Sequence, residues 1–367
     1  MILLGVLVAL GILALGACAI LNQPKFGKHP EGERLERVRS SPNYSDSEFH
    51  NTVPTQMLID GQSALKIWWS MLLGDTQRLR PEDPIPTVKT NLKALNIGKD
   101  TVIWLGHSSY YIQLGGKRFL VDPVFSEYAS PFSSFNKIFT GTGIYTADDM
   151  PEIDFLLISH DHWDHLDYPT VTDLKPKVKA VVCPLGVGEH FEYWGYVKER
   201  IHEADWGEAL RFDGGLTVHV LPARHFSGRL FSRNKTLWAG FALESPEHRV
   251  FMSGDSGYGP HFAEIGRTFG GFDLVMLDSG QYDPRWPYVH MTPEQTARAA
   301  EDLHASALLP SHIGKFCISV HAWDDPFIRI AKVSAEKDYR LVSPMIGEPV
   351  WLDDRTQSFS HWWERVK

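Results

Sequence analysis

The sequence predicts an α/β protein built in two or more packed layers. From Thr101 onward, short apolar runs alternate with turn signals and a few helical stretches, the pattern of strands and helices sharing one core. The 367 residues are 43% hydrophobic and 22% charged, which excludes a disordered chain and supplies core enough for one large domain or two. Strands are predicted over residues 102–105, 110–114, 118–121, 155–158, 180–182, 216–221, 237–243, 249–252, 274–277 and 307–309. Gly115-Gly116 joins the second and third of these as a tight hairpin. Thr292-Pro293-Glu294-Gln295 marks a helix start, with an N-cap, a proline at the first helical position and the glutamine of a capping box.

Ahead of this body, residues 1–21 contain no charged side chain. At a rise of about 1.5 Å per residue they would just cross a hydrocarbon core of about 30 Å, so the amino end is read as a membrane anchor or a cleaved signal. Leu15-Gly16-Ala17-Cys18 resembles a lipoprotein lipobox. A retained helix flanked by Lys25, Lys28, Arg34, Arg37 and Arg39 would weakly place the body in the cytoplasm, and a lipoprotein would face the other way. Residues 22–95, rich in Pro, Ser, Asn and charge, are expected to form an irregular extension that wraps the body, with room for one helix, and residues 96–367 the main domain.

Lys and Arg total 36 against 45 Asp and Glu, giving a net charge of -9, so nucleic acid is not expected as a partner. Cys18, Cys183 and Cys317 lie too far apart for a disulfide framework or a cysteine-rich metal knuckle. Any metal must be held by carboxylates and by some of the 17 histidines.

Four predicted strands run into such residues: 155–158 into His160, 216–221 into His225, 249–252 into Asp255 and 307–309 into His312. Strand ends share a rim, so these side chains can meet. His160-Asp161-His162-Trp163-Asp164-His165 places three imidazoles and two carboxylates in six residues, a cluster whose desolvation a divalent cation would offset.

His-x-His-x-Asp-His after an apolar strand, followed by His225, Asp255 and His312, resembles the metallo-β-lactamase superfamily of binuclear zinc hydrolases, over about residues 101–351. Trp104-Leu-Gly-His-Ser-Ser, Gly254-Asp-Ser-Gly-Tyr258, Gly280-Gln-Tyr-Asp-Pro-Arg-Trp286 and Ser311-His-Ile-Gly-Lys-Phe316 are similar to the branch containing N-acyl-phosphatidylethanolamine-hydrolysing phospholipase D and bacterial RomA-like proteins. Pro24-Lys-Phe-Gly and Ser41-Pro-Asn-Tyr44 look like the bacterial members. The resemblance implies a four-layer αββα sandwich and two Zn²⁺ per chain. It assigns His160, His162 and His225 to one ion, Asp164, His165 and His312 to the other, and Asp255 to both.

It implies further that a hydroxide shared by the ions attacks a phosphodiester of a phospholipid-like, amphiphilic substrate, with Asp164 orienting the nucleophile and His290 contacting substrate as a second catalytic residue. Asp122 is expected behind the ligands and His107 beside them, with Arg285 as a phosphate partner. Membrane attachment in a bacterial envelope fits the same picture. Lactone or other ester hydrolysis on the same site is the alternative chemistry, and a non-catalytic envelope protein that binds lipid or metal is the alternative class. Gly254-Asp255-Ser256-Gly257 also resembles the nucleophile motif of chymotrypsin-like proteases, but that reading leaves the histidine cluster without a role.

Overall fold

The computed structural model describes residues 15–16, 18–63, 66–67, 69, 78–229 and 232–367. The anchor expected over residues 1–21 therefore falls largely outside the described residues. Among those described, no helix is long and apolar enough to cross a membrane, and Cys18 is exposed. The apolar stretch 65–73 of the extension also lies mostly outside them.

The extension is more ordered than its composition suggests. It carries a helix, Gly32–Arg39, and a hairpin of β1 (Tyr44–Ser45) and β2 (Glu48–Phe49). Arg34 docks the helix on the body, pairing through Nε with Glu203 at 2.5 Å and through Nη1 with Glu189 at 2.7 Å.

Two seven-stranded sheets follow. The first contains β3 (Thr101–Trp104), β4 (Tyr110–Leu114), β5 (Lys117–Val121), β6 (Ile153–Leu157), β7 (Val178–Pro184) and β8 (Ile201–Ala204). The second contains β9 (Ala209–Phe212), β10 (Leu216–Leu221), β11 (Gly240–Glu244), β12 (Arg249–Met252), β13 (Leu274–Asp278), β14 (Ala307–Ser311) and β15 (Arg340–Leu341). The chain then returns to the first sheet, where β16 (Pro349–Trp351) pairs antiparallel with β3. Spatial orders are β16-β3-β4-β5-β6-β7-β8 and β15-β14-β13-β12-β11-β10-β9. Each sheet is antiparallel in one half, while β5 to β8 and β12 to β15 run parallel.

Side-chain alternation builds the layers. Val102 and Trp104 of β3 and Val250 and Met252 of β12 enter the core between the sheets. Ile103 points outward, into a cluster with Val171 and Leu174 of the helix Tyr168–Leu174. Phe251 points outward toward Phe262 and Ile265 of the helix His261–Phe269. Helix, sheet, sheet and helix therefore stack in four layers, and β3, β4, β13 and β14 are buried along their whole length.

The turn signals act as predicted. Gly115 and Gly116 have φ of 56° and 72°, the left-handed pair a two-residue hairpin requires. Thr292 and Gln295 cap the helix Pro293–Asp302 reciprocally. The strand expected over 237–243 begins only at Gly240, because Leu237 and Ala239 donate their N–H groups to Leu185 and Ser159 instead of a strand partner. Sequence patterning missed β8, β9, β15 and β16, which sit at or near sheet edges, are short and are only partly buried, so apolar alternation is weak there.

Phe241 is fully buried between the sheets, and Phe241→Ala is expected to cost about 3–5 kcal/mol of stability in urea unfolding. Ile328→Ala, at a side chain 47% exposed, should change it by about 0.5 kcal/mol or less. Equal midpoints for the two variants would contradict the assigned inter-sheet core.

Candidate metal centre

Five strand ends deliver polar side chains to one rim. β6 leads into the segment His160 to His165, β10 into His225, β12 into Asp255 and β14 into His312, while β13 ends on Asp278. The loop after β3 adds His107. Its backbone stitches the sheets together, since His107 N–H donates to Ile313 O and His312 N–H to His107 O, both at 3.1 Å. His107, Asp122, Gln281 and His312 have φ between 41° and 63°, uncommon for residues other than glycine, and all four lie at this rim.

Two groups of four donor residues form, each with its atoms within 4.8 Å: His160, His162, His225 and Asp255, and His107, Asp164, His165 and His312; a third, smaller group joins Asp255, His290 and His312. Asp255 faces both. Its Oδ1 lies 3.1 Å from His165 Nε2 and 3.0 Å from His312 Nδ1, and its Oδ2 lies 3.7 Å from His160 Nε2 and 3.6 Å from His225 Nε2.

Hydrogen bonds at the back fix how the rings point. His225 Nδ1–H donates to Val289 O at 2.9 Å, and His165 Nδ1–H to Asp122 Oδ2 at 2.8 Å. Ser159 Oγ donates to Asp122 Oδ2 and so accepts from His160 Nδ1 at 3.0 Å. These contacts turn the Nε2 atoms of His160, His165 and His225 inward, with those of His160 and His225 bare. His162 Nδ1 lies 2.9 Å from His160 Nε2 and 3.3 Å from His225 Nε2.

This donor set fits a divalent cation. Buried His165 Nε2 and Asp255 Oδ1 face each other at 3.1 Å without hydrogen-bond geometry, and three imidazole nitrogens converge with too few protons to join them. Burial pushes His160 and His225 well below the ordinary histidine value, and His162 to about 4, so these rings are neutral. Burial opposes charge on Asp164 and Asp255 too, but the His165 charge and its neighbours hold both carboxyls well below the usual range. Neutral imidazoles around buried carboxylates suit Zn²⁺-like ions.

Of the other expected residues, Asp122 lies behind His165 as predicted, and His107 Nε2 bonds Asp164 Oδ2 at 2.9 Å. His290 stacks on His312 with ring centroids 4.9 Å apart and bonds Asp278 Oδ2 through Nδ1 at 2.8 Å. Burial works to lower the His290 pKa, but the Asp278 carboxylate outweighs it and holds the ring above its ordinary value. Arg285 is a correction. Its guanidinium binds Asp283, two residues upstream, at 2.6 and 2.7 Å, so it is not a free phosphate receptor. Ser256 is no nucleophile either: it is fully buried, with Oγ held by Gly257 O at 2.9 Å, His261 Nε2 at 3.1 Å and the Arg224 N–H at 2.9 Å.

Sequence reasoning missed several parts. Asp278, which bonds His290, carries the same signal as Asp255, a carboxylate at the end of an apolar strand. Asn51, from the extension, brackets the His225 backbone, accepting its N–H at 3.0 Å and donating to its carbonyl at 2.7 Å. Arg229, fully buried, donates to the carbonyls of Asp161, Leu166 and Lys25 and lies 3.8 Å over the Trp163 ring. Asp161 accepts from Gly228 N–H and Thr236 Oγ1, so it shapes the loop and faces away from the cluster.

A cavity of about 380 Å³ opens beside His290, with Met57, Leu58, Phe226, Trp286, Val289 and Ile318 in its walls. That volume is within the range of about 300–1,000 Å³ usual for small-molecule sites. A larger hollow, about 630 Å³, lies against Glu244, His248 and Asp273 at the opposite end of the strands, away from this cluster.

Comparison with known proteins agrees with this geometry. Residues 117–313 match the family described as Beta-lactamase superfamily domain. An uncharacterised protein of Mycobacterium tuberculosis is 38% identical over 315 residues, 84% of each chain. N-acyl-phosphatidylethanolamine-hydrolyzing phospholipase D 1 of Caenorhabditis elegans is 29% identical over 76% of this chain and 86% of its own. The outer membrane protein RomA of Klebsiella pneumoniae is 59% identical over 100 residues, 27% of this chain and 76% of its own. Igni18, a metallo hydrolase from Ignicoccus hospitalis, shares the fold, with a TM-score of 0.52 and 19% identity over 69% of this chain and 97% of its own. The chain belongs to the β-lactamase superfamily, as a metal-dependent hydrolase fold with its histidine and aspartate clusters at the rim where two sheets meet.

Proposed function

We propose that this protein is a zinc-dependent hydrolase, with two ions per chain, that cleaves a phosphodiester of a phospholipid-like amphiphile. The observation that carries the reading is the juxtaposition of two buried His/Asp donor sets with an apolar cavity, His290 standing between them. The similarity to a phospholipase D supports the phosphodiester, and the similarity to RomA supports an envelope location. Attachment through residues 1–21 would bring the cavity to its substrate.

His160, His162 and His225 would hold one ion and Asp164, His165 and His312 the other, with Asp255 shared. When bound, the ions supply a nucleophile from water near neutral pH and stabilise charge on the phosphoryl oxygens. Asp164, fixed through Oδ2 by His107, orients the attacking water. His290, kept charged by Asp278, donates a proton to the departing oxygen. Phe226, Val289 and Trp286 exclude water and receive the apolar part of the substrate.

The purified protein should contain two zinc ions per chain by elemental analysis and hydrolyse a phospholipid in mixed micelles, with activity lost to a chelator and restored by Zn²⁺. Metal-replete protein that cleaves no phosphodiester would reject the reading.

Asp164→Asn should lower kcat by about 10²-fold or more with the circular dichroism spectrum unchanged. Activity within a few-fold of wild type at full occupancy would remove Asp164 from the proposed role.

Asp122→Asn should weaken metal binding by about 10–100-fold in competition with a chelator, because His165 loses the carboxylate that orients it. An unchanged affinity would mean that Asp122 serves only to hold Ser159, through its backbone N–H and its hydroxyl.

A further inference from the structure

Three arginines near the centre are committed to other groups. Arg229 serves main-chain carbonyls, Arg285 serves Asp283, and Arg224 donates to Thr55, Pro54 and Tyr258. Arg233 differs, for among the described residues it has no hydrogen-bond or carboxylate partner. Its guanidinium lies 5.3 Å over the Phe226 ring and lines the mouth of the 380 Å³ cavity. Phe226 in turn packs against His162 and His225, with ring centroids 4.5 and 4.6 Å apart.

Arg233 is exposed, but its backbone is not on a loose tail. The Asn234 N–H donates to Ser227 O at 3.0 Å, Asn234 O accepts from Phe49 N–H at 2.9 Å, and Ser232 Oγ bonds Arg229 O at 3.0 Å. Gly228 permits this closed turn, since a Cβ there would meet Ser232 O at 2.1 Å. A cation is thus held at the mouth of an apolar cavity in a chain of net charge -9.

We propose that Arg233 is a specificity-determining residue that binds an anionic group of an amphiphilic substrate. That anion is distinct from the scissile ester and is joined to it by an apolar segment lying along Met57, Leu58, Trp286 and Ile318. The inference rests on the hydrolase reading for the ester but on charge complementarity for the anion. Phe226 stands between Arg233 and the histidine cluster, so the guanidinium serves a second group of the ligand. A carboxylate and a phosphate present the same oxygen pair to a guanidinium, and either pairs with it bidentately. The alkyl segment fills the cavity and the anion stays at the wet mouth, an arrangement that leaves no charge buried without a partner.

Calorimetry on the zinc-loaded protein with dodecanoate, dodecyl phosphate and uncharged dodecyl maltoside tests the anion directly, without turnover. Wild type should prefer the anionic probes, and Arg233→Gln should weaken them by about tenfold or more while Arg233→Lys recovers part of the loss. A loss for dodecanoate alone, or for dodecyl phosphate alone, would identify which anion the site takes. Equal affinities in wild type and Arg233→Gln for both anions would overturn the proposal. In a second arm, a phosphodiester carrying a distal carboxylate is compared with its methyl ester. The wild-type preference for the carboxylate should collapse in Arg233→Gln through KM and not kcat. If neither diester is cleaved the hydrolase reading fails, yet the calorimetric arm still decides the anion site.

Discussion

The structure depends on concentrating ionisable groups where water is excluded. Asp122, Asp164 and Asp255 sit among His107, His160, His165, His225 and His312, and most of these side chains are nearly inaccessible. Such a cluster is stable only when each carboxylate faces donors and the rings of His160, His165 and His225 each have a proton on the outward nitrogen. Asp122, Ser159 and the Val289 carbonyl provide that outward order, and the inward-turned Nε2 atoms are its consequence. A cation would complete what the protein atoms leave unfinished, since His165 Nε2 and Asp255 Oδ1 meet at 3.1 Å without hydrogen-bond geometry.

The surrounding fold serves to hold those groups still. Parallel halves of two sheets end at one rim, and the exchange between His107 and the backbone at His312 and Ile313 locks the sheets together there. The amino-terminal extension is part of the same scaffold. Asn51 satisfies both backbone groups of His225, and Lys25 offers the carbonyl that anchors Arg229 beneath Trp163. Left-handed backbone at His107, Asp122 and His312 is strain retained by these contacts.

Much of this was legible in the sequence because the chemistry follows strand ends, and strand ends are marked by apolar runs that stop abruptly. His160, His225, Asp255 and His312 were readable in that way. Asp278 was equally readable, but the strand was ended one residue early. What was not legible depends on long-range partners: Asn51 meets His225 at a separation of 174 residues, and Arg229 meets Lys25 at 204. Arg285 shows a local error, for the carboxylate that neutralises it stands two residues upstream and competes with any phosphate. The edge strands escaped because partial burial leaves no alternation to detect.

The centre and the cavity divide the chemical problem between them. The donor sets are built from strand ends and buried rings, where a displacement of one side chain disturbs several others. Much of the cavity wall comes from Met57 and Leu58 of the extension with Phe226, Trp286 and Ile318, side chains that are only partly buried, and from the exposed Arg233. Changes there alter what is admitted without disturbing how the ions would be held. His290 belongs to both regions: it stacks on His312, answers to Asp278 and lines the cavity. In the proposed reaction it would link the two, meeting substrate in the cavity and the donor sets through His312.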